Sequence, residues 1–382
     1  MLSAIKSDKI ILEDRIFDGY VCYDGGVITD VTPSMPKDAE VFDFTGKYVC
    51  PGFIESHTHG AGGKGYFGGT AEDYAEATTV HLKHGATTVY PTLVACSFDD
   101  MLLFLKNAKE LIDARLCAAN IPGVHLEGPY LNAAQCGGQA PKFITPPIEE
   151  EYKQIIHDYG AYVKRWTYAP ENDEGNAFVD YLEKNNILPS IGHSNAKGDE
   201  VKRAAWGGAR LVTHLYSCCS TVTRDHGFRS LGVIESAFLL DELYAEIIAD
   251  GKHLPPDLIK MILKIKGTDR VILTTDSIDV AATDAPEGSY GETHYIIEDG
   301  VAKLYDRSAF AGSIATCDRL IRTLTEECGV GIVEAVKMLT KNPATLLRLN
   351  KGEIKQGKDA DLIIFDDKIQ VSDVFVMGKK VI

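Results

Sequence analysis

The chain has 382 residues, 45% of them apolar and 25% charged, values of a globular protein with room for one large domain and a smaller one; they exclude a disordered, collagen-like or disulfide-stapled miniature. Its 39 Lys and Arg against 55 Asp and Glu leave a net charge of −16, a field that repels polyphosphate backbones and excludes general nucleic-acid binding, although a few donors in one pocket can still hold a small anion. The nine cysteines contain no CxxC and one adjacent pair, Cys218-Cys219, while the N-terminus lacks the apolar run of a signal peptide and nowhere do eighteen apolar residues follow one another, so a cytoplasmic protein with reduced thiols and no membrane span is expected.

In chain order, short apolar runs at 9–12, 19–23, 27–28 and 41–44 alternate with turn signals at Gly25-Gly26, Pro33 and Pro36 and read as several short strands. The same texture returns at 360–365 and 371–376, around Gly357 and Gly378. We therefore expect a small discontinuous β domain, residues 1–50 with 351–382, around a central domain of residues 51–350. Eight strand signals run through that centre, at 52–56, 87–93, 122–126, 163–168, 187–191, 210–213, 244–249 and 270–274. Helical stretches separate them: Thr70-Ala71-Glu72-Asp73 reads as a capping box, and Gly85, Gly160, Gly207 and Gly267 stand where C-terminal caps belong. Eight strand–helix units over this length predict an α/β fold of the (β/α)8 TIM-type barrel, with a doubly wound open sheet as the competing arrangement.

Chemistry-bearing side chains fall at the C-terminal ends of the predicted strands. His57-Thr58-His59 follows the first, and the period-two alternation of a strand lets both imidazoles face one side. Glu127 closes the third strand, His193 the fifth, His214 the sixth and Asp276 the eighth. In a barrel these ends converge on the face that carries active sites. Four imidazoles and two carboxylates make a divalent-cation site, with Zn2+ favoured and Fe2+, Mn2+ or Co2+ left open. Asp276 also suits an acid/base role, because a carboxylate beside a cation can take a proton from water and later deliver it to a leaving group.

Other histidines carry less. His81 and His84 read as a partly solvated helix end, and His125 as a packing residue one layer below Glu127. The glycine-rich run at 60–69 lacks the Ser or Thr that completes a phosphate loop and reads as a flexible loop over the barrel mouth.

Several longer motifs resemble the amidohydrolase superfamily, and within it the N-acetylglucosamine-6-phosphate deacetylases. They are Pro51-Gly52-Phe53-Ile54-Glu55-Ser56-His57-Thr58-His59-Gly60, His125-Leu126-Glu127-Gly128-Pro129-Tyr130-Leu131-Asn132, Gly192-His193-Ser194, Thr213-His214-Leu215-Tyr216, Asp250-Gly251-Lys252-His253, Thr275-Asp276 and Ala311-Gly312-Ser313. The resemblance runs along nearly the whole chain and implies a barrel flanked by a small β-sandwich domain from both termini. It implies that Glu127, His193 and His214 hold one metal ion, that His57 and His59 help hold a second, and that Asp276 is the catalytic acid/base beside them. It further implies that His253 reaches the scissile carbonyl, that Gly138 and Gln139 line a sugar pocket, and that Ser217 and Cys218 offer backbone donors to a sugar phosphate. Phe310, Ala311 and Gly312 would border the substrate, and Arg224 would reach the phosphate of a neighbouring subunit in a homodimer.

The implied reaction is metal-dependent deacetylation of an N-acetyl amino-sugar 6-phosphate, N-acetyl-D-glucosamine 6-phosphate first, in amino-sugar catabolism. The sequence departs from the family at the phosphate end, where Ser217-Cys218 replaces the usual Asn-Ala, which leaves the galacto epimer open. Another amide as substrate, and a metal-stabilised scaffold without activity, are the rival readings; Asp276 opposes the latter.

Overall fold

The computed structural model describes residues 2–291 and 293–382, and of Asp225 the backbone alone. Eight parallel strands occupy the centre: β1 (Phe53–Thr58), β2 (Ala86–Leu93), β3 (Val124–Glu127), β4 (Val163–Tyr168), β5 (Leu188–Ile191), β6 (Leu211–Val212), β7 (Tyr244–Ile248) and β8 (Val271–Thr274). Each pairs with the next in chain order, and helices follow the strands, so the predicted barrel is the fold and the open sheet is not. β1 and β2 are buried at every residue, as expected of strands covered by side chains inside and helices outside.

Side chains hold the seam between β8 and β1. The fully buried Glu55 carboxylate accepts from Thr274 Oγ1 at 2.7 Å, Thr275 N at 3.0 Å and His57 N at 3.0 Å, while His57 O accepts from Asp276 N at 3.0 Å. This carboxylate therefore ties the last strand to the first where His57 and Asp276 must meet.

The helix punctuation follows the sequence signals except at Gly85, which stands one residue beyond the cap, His84. Thr70 and Asp73 form a reciprocal capping box on helix Ala71–Lys83, and Gly160, Gly207 and Gly267 are the C-caps of Glu149–Tyr159, Gly198–Trp206 and Pro256–Lys266. Both chain ends share one eight-stranded sheet, in which Leu362–Phe365 lies antiparallel to Tyr48–Pro51. Ser3–Ile11 pairs along one edge with Ile16–Asp24 and along the other first with Glu40–Asp43, then with Tyr48–Pro51. The sheet thus closes over its own core of Ile5, Val21, Val49, Leu362 and Phe375.

Three features differ from the sequence expectation. The 60–69 run is not a loose loop: Gly60–Ala61 and Lys64–Gly65 pair as a tight hairpin, pinned by Gly62 N to Ala281 O at 2.8 Å and Gly63 N to Asp279 O at 2.7 Å. His81 is fully buried, its Nε2 2.9 Å from Thr58 Oγ1 and 3.2 Å from Gly60 O, and burial holds it neutral with a pKa lowered to about 4. After β8 the chain forms a four-stranded antiparallel sheet, Glu287–Tyr290, Thr293–Glu298, Val301–Leu304 and Phe310–Gly312, which strand–helix counting passed over. It packs Tyr295 and Ala302 on Ile278 and Val280 beside the barrel mouth.

Candidate active site

The ends of β1, β3, β5, β6 and β8 bring six ligating side chains to one spot, all of them buried. Glu127 Oε1 lies 3.1 Å from His193 Nε2 and 2.8 Å from His214 Nε2. His59 Nε2 lies 3.1 Å from Asp276 Oδ1 and 3.2 Å from Glu127 Oε2, and His57 Nε2 lies 3.4 Å from both carboxylates. Two groups result, His57 with His59 and Asp276, and Glu127 with His193 and His214, and the two oxygens of Glu127 face both.

The tautomers show whether a cation fits. His193 Nδ1 faces Gln135 O at 2.8 Å, His214 Nδ1 faces Ser217 O at 3.2 Å and His59 Nδ1 faces Thr92 O at 3.2 Å. A carbonyl oxygen only accepts, so these Nδ1 atoms carry the proton and each neutral ring turns an Nε2 lone pair inward. His57 Nδ1 is turned to Glu246 Oε1 at 3.0 Å, and its buried Nε2 has no hydrogen-bond partner. Convergent lone pairs, two carboxylates and a buried orphan nitrogen are what a divalent cation satisfies. With protons alone in the cluster, burial of His57 is outweighed by Glu127 and Asp276, which hold its pKa up at about 10. The same imidazoles keep Glu127 well below the usual carboxylate range despite its burial.

Backbone conformation contributes to this convergence. His193, His214 and Asp276 all have positive φ, at 46°, 30° and 46°, and Cys218 follows at 51°. Side-chain residues seldom adopt the left-handed region, and its recurrence at three strand ends turns each functional group from the strand path into the barrel mouth.

Next to the cluster lies a cavity of about 260 Å³. Of the residues singled out in the sequence, His59, Glu127, Gly138, Gln139, His193, His214, Ser217, Cys218, His253, Asp276, Phe310, Ala311 and Gly312 line it. His57 sits behind them. Gln139 is fixed between Ala95 N, which donates to its Oε1 at 2.6 Å, and Glu127 Oε2, to which its Nε2 donates at 2.8 Å. His253 Nδ1 lies 2.8 Å from Asp250 Oδ2, and the Phe310 ring meets the imidazole edge-on at 4.9 Å. Gly137 has φ +57°, and a Cβ there would stand 2.5 Å from Cys218 Sγ, so this close approach of loop to wall requires glycine.

Arg224 is not in the cavity. It is exposed on a hairpin, Thr223–Asp225 with Phe228–Ser230, whose Phe228 is 81% exposed. His125 is buried against Thr167 Oγ1 at 2.7 Å and Thr92 Oγ1 at 3.3 Å and takes no part in the ligand cluster.

Four residues escaped the sequence reading. Glu246 on β7 and Arg165 on β4 form a fully buried ion pair behind His57; a charged residue inside each apolar strand run was the available signal. Asp250, three residues before His253, orients it. Tyr290 lines the cavity from the four-stranded insertion, and nothing in its sequence neighbourhood announces that.

Comparison with known proteins agrees with this geometry. The profile of the Amidohydrolase family matches residues 48–381. A relative from Lysinibacillus sphaericus, an N-acetylglucosamine-6-phosphate deacetylase, is 30% identical over 88% of this chain and 86% of its own length. An N-acetylgalactosamine-6-phosphate deacetylase from Shewanella is 28% identical over 96% of this chain and 90% of its own. The N-acetyl-D-glucosamine-6-phosphate deacetylase of Mycobacterium smegmatis, solved in complex with N-acetyl-D-glucosamine-6-phosphate, superposes with a TM-score of 0.92 over 99% of both chains at 26% identity. The chain belongs to the amidohydrolase family, and it resembles the N-acetylhexosamine-6-phosphate deacetylases along nearly its whole length.

Proposed function

We propose that the protein hydrolyses the acetamido group of an N-acetylhexosamine 6-phosphate, releasing acetate and the free amino-sugar phosphate, with N-acetyl-D-glucosamine 6-phosphate as the substrate. The observation that carries this reading is the placement of Asp276 and two groups of ligating atoms on the wall of a sugar-sized cavity, in a chain whose relatives act on such substrates by name. Residues 51–350 are the catalytic domain on this reading, and 1–50 with 351–382 are the smaller one.

Glu127, His193 and His214 would hold one cation and His57, His59 and Asp276 a second, with Zn2+ best matched to four imidazoles. Held there, a divalent cation would supply polarisation of the amide carbonyl and a lowered pKa for water. Asp276 takes the proton of the attacking water and passes it to the departing nitrogen, since an amide anion is a very poor leaving group. His253, with Nδ1 committed to Asp250, would in its doubly protonated form donate Nε2–H to the carbonyl oxygen where negative charge develops. Gly138, Gln139, Phe310, Ala311 and Gly312 bound the sugar. Backbone donors of Ser217 and Cys218 meet the phosphate, and Arg224 completes its site from the second subunit of a homodimer. The exposed hairpin that carries Arg224 supports that role. The protein works in the cytoplasm in amino-sugar breakdown.

The galacto epimer is the second reading, favoured by the Shewanella relative and by Ser217-Cys218 at the sugar-phosphate end. Acetate release by metal-loaded protein from N-acetylglucosamine and N-acetylgalactosamine, each with and without the 6-phosphate, decides. Release only from the phosphorylated sugars is expected, and no acetate from any of the four would overturn the proposal.

A further inference from the structure

Tyr290 reaches the cavity from outside the barrel. It ends the first strand of the four-stranded insertion and pairs across the turn with Thr293, whose Oγ1 donates to Gly138 O at 3.1 Å. The turn is thereby anchored on the loop that carries Gln139. On its other side the Tyr290 ring packs 5.7 Å from Phe67, on the tight 60–69 hairpin, and 5.4 Å from the His59 ring. Its hydroxyl lies 3.2 Å from His59 Nδ1, and that nitrogen also faces Thr92 O at 3.2 Å.

The direction of these bonds follows from the chemistry of a ligating histidine. When His59 Nε2 gives its lone pair to a cation, Nδ1 carries the ring's remaining proton and can only donate. Both Thr92 O and Tyr290 Oη are then acceptors of one N–H. The phenol has accepted without using its own hydrogen, and among the described residues no acceptor for that hydrogen is recorded. Tyr290 is half-buried, and a hydroxyl hydrogen left over at the wall of a cavity is available to whatever polar group enters it. Unlike His253, whose Nε2 is a donor only in the doubly protonated ring, a phenol remains a donor across the whole working pH range.

We propose that Tyr290 is a substrate-binding residue, donating its O–H to an oxygen of the amide group at the metal end of the cavity, which extends the part of the insertion after β8 in the site from the cavity wall at Phe310–Gly312 to the reacting group. The inference rests on the deacetylase reading above.

The test is Tyr290→Phe, which removes one oxygen and keeps the ring packed on His59 and Phe67. Metal per chain and melting temperature should match the wild type, while kcat/KM for acetate release from the phosphorylated sugar falls about tenfold or more, as loss of a donor to a buried polar group requires. A contact made equally in the ground state and transition state raises KM; one that tightens as the carbonyl becomes tetrahedral lowers kcat. Either split supports the proposal. It is overturned if kcat/KM stays within twofold of the wild type. It is equally overturned if the variant loses bound metal in proportion to its activity, because Tyr290 would then only orient His59. Wild-type protein that releases no acetate at all would instead remove the deacetylase reading itself, so the two failures are distinct.

Discussion

Arg165→Met is the perturbation that most directly probes the frame behind the site. Arg165 and Glu246 are both fully buried. The guanidinium donates to Glu246 at 2.5 and 2.9 Å, to Ser190 Oγ at 3.2 Å, to Thr213 Oγ1 at 2.9 Å and to Ser56 O at 3.3 Å. Glu246 in turn faces His57 Nδ1 at 3.0 Å. Removing the cation leaves a carboxylate in the barrel interior with one imidazole and weak neutral donors, and breaking a buried pair from one side costs about 3–5 kcal/mol. Arg165→Met/Glu246→Gln removes both charges and keeps a side-chain oxygen for His57 Nδ1, so the double variant should recover to within about 2 kcal/mol of the wild type; with Glu246→Gln alone also costing about 3–5 kcal/mol, the coupling is about 4 kcal/mol or more. Urea unfolding in chelator measures this free of metal linkage, and fluorescence of the buried Trp166, next to Arg165 on β4, reports it in a Trp206→Phe background. Burial alone would push the Glu246 carboxyl up, but Arg165 and His57 hold it well below the usual range. Stability from this source is present above the ordinary carboxylate pKa and lost as pH falls below it, so the acid slope should shrink in Arg165→Met. A single variant that costs less than about 1 kcal/mol, or a cycle without coupling, would refute the claim that the pair is an energetic unit.

Asp276→Asn should retain the cation held by Glu127, His193 and His214 while lowering turnover by about 10³-fold or more, since the amide can neither accept nor deliver the proton; metal analysis beside steady-state kinetics checks both halves. Chelation should abolish turnover and added Zn2+ restore it. Because Glu127 and Asp276 hold the His57 pKa at about 10 in the metal-free cluster, cation binding must displace protons, and the apparent affinity measured by competition with a chromophoric chelator should weaken steadily as pH falls from 8 to 6. Asp318 is buried, yet His84, Thr316 and Arg322 outweigh that burial and bring its pKa to about 2. A depressed carboxylate stabilises the fold above its unfolded pKa near 4 and ceases to do so as pH drops toward 2. Asp318→Asn should therefore cost about 2 kcal/mol at pH 7 and lose that difference in acid, as read from urea midpoints between pH 7 and 3.

The barrel and its ligands were legible because each rests on a local pattern. Apolar strand runs punctuated by capping signals such as Thr70 and Gly267 report the strand–helix rhythm, and a polar residue closing such a run, as Glu127 and Asp276 do, reports the mouth of the barrel. What stayed hidden depends on long-range closure. Glu55 reads as one more letter of the first motif until β8 arrives to donate Thr274 and Thr275 to it. His81 looks like a helix end until the 60–69 hairpin folds over it. Tyr290 lies 231 residues from the histidine it touches, inside an insertion whose alternating exposed and half-buried pattern resembles any surface hairpin. Arg224 marks the opposite limit, a residue whose sequence context is legible but which the fold leaves exposed on a hairpin outside the cavity.

The charge arithmetic acquires a physical meaning at the site. A chain at −16 recruiting an anionic sugar phosphate works against its own diffuse field, and screening at physiological ionic strength confines that field to about 8 Å. Attraction must therefore come from charges inside that distance. The ligand cluster would supply it once loaded: with a divalent cation on each of the two groups, the carboxylates of Glu127 and Asp276 would leave an excess of two positive charges at the cavity wall. Without the cations only protons on the imidazoles, as on His57, offset the two carboxylates, and the wall loses that excess. Metal loading should thus govern substrate capture as well as the chemical step. Equilibrium binding of the free amino-sugar phosphate product, which undergoes no reaction, should weaken at least tenfold in chelator, and this loss should diminish as ionic strength rises. Product binding that is indifferent to the cation would show that Arg224 and the loop donors alone hold the phosphate.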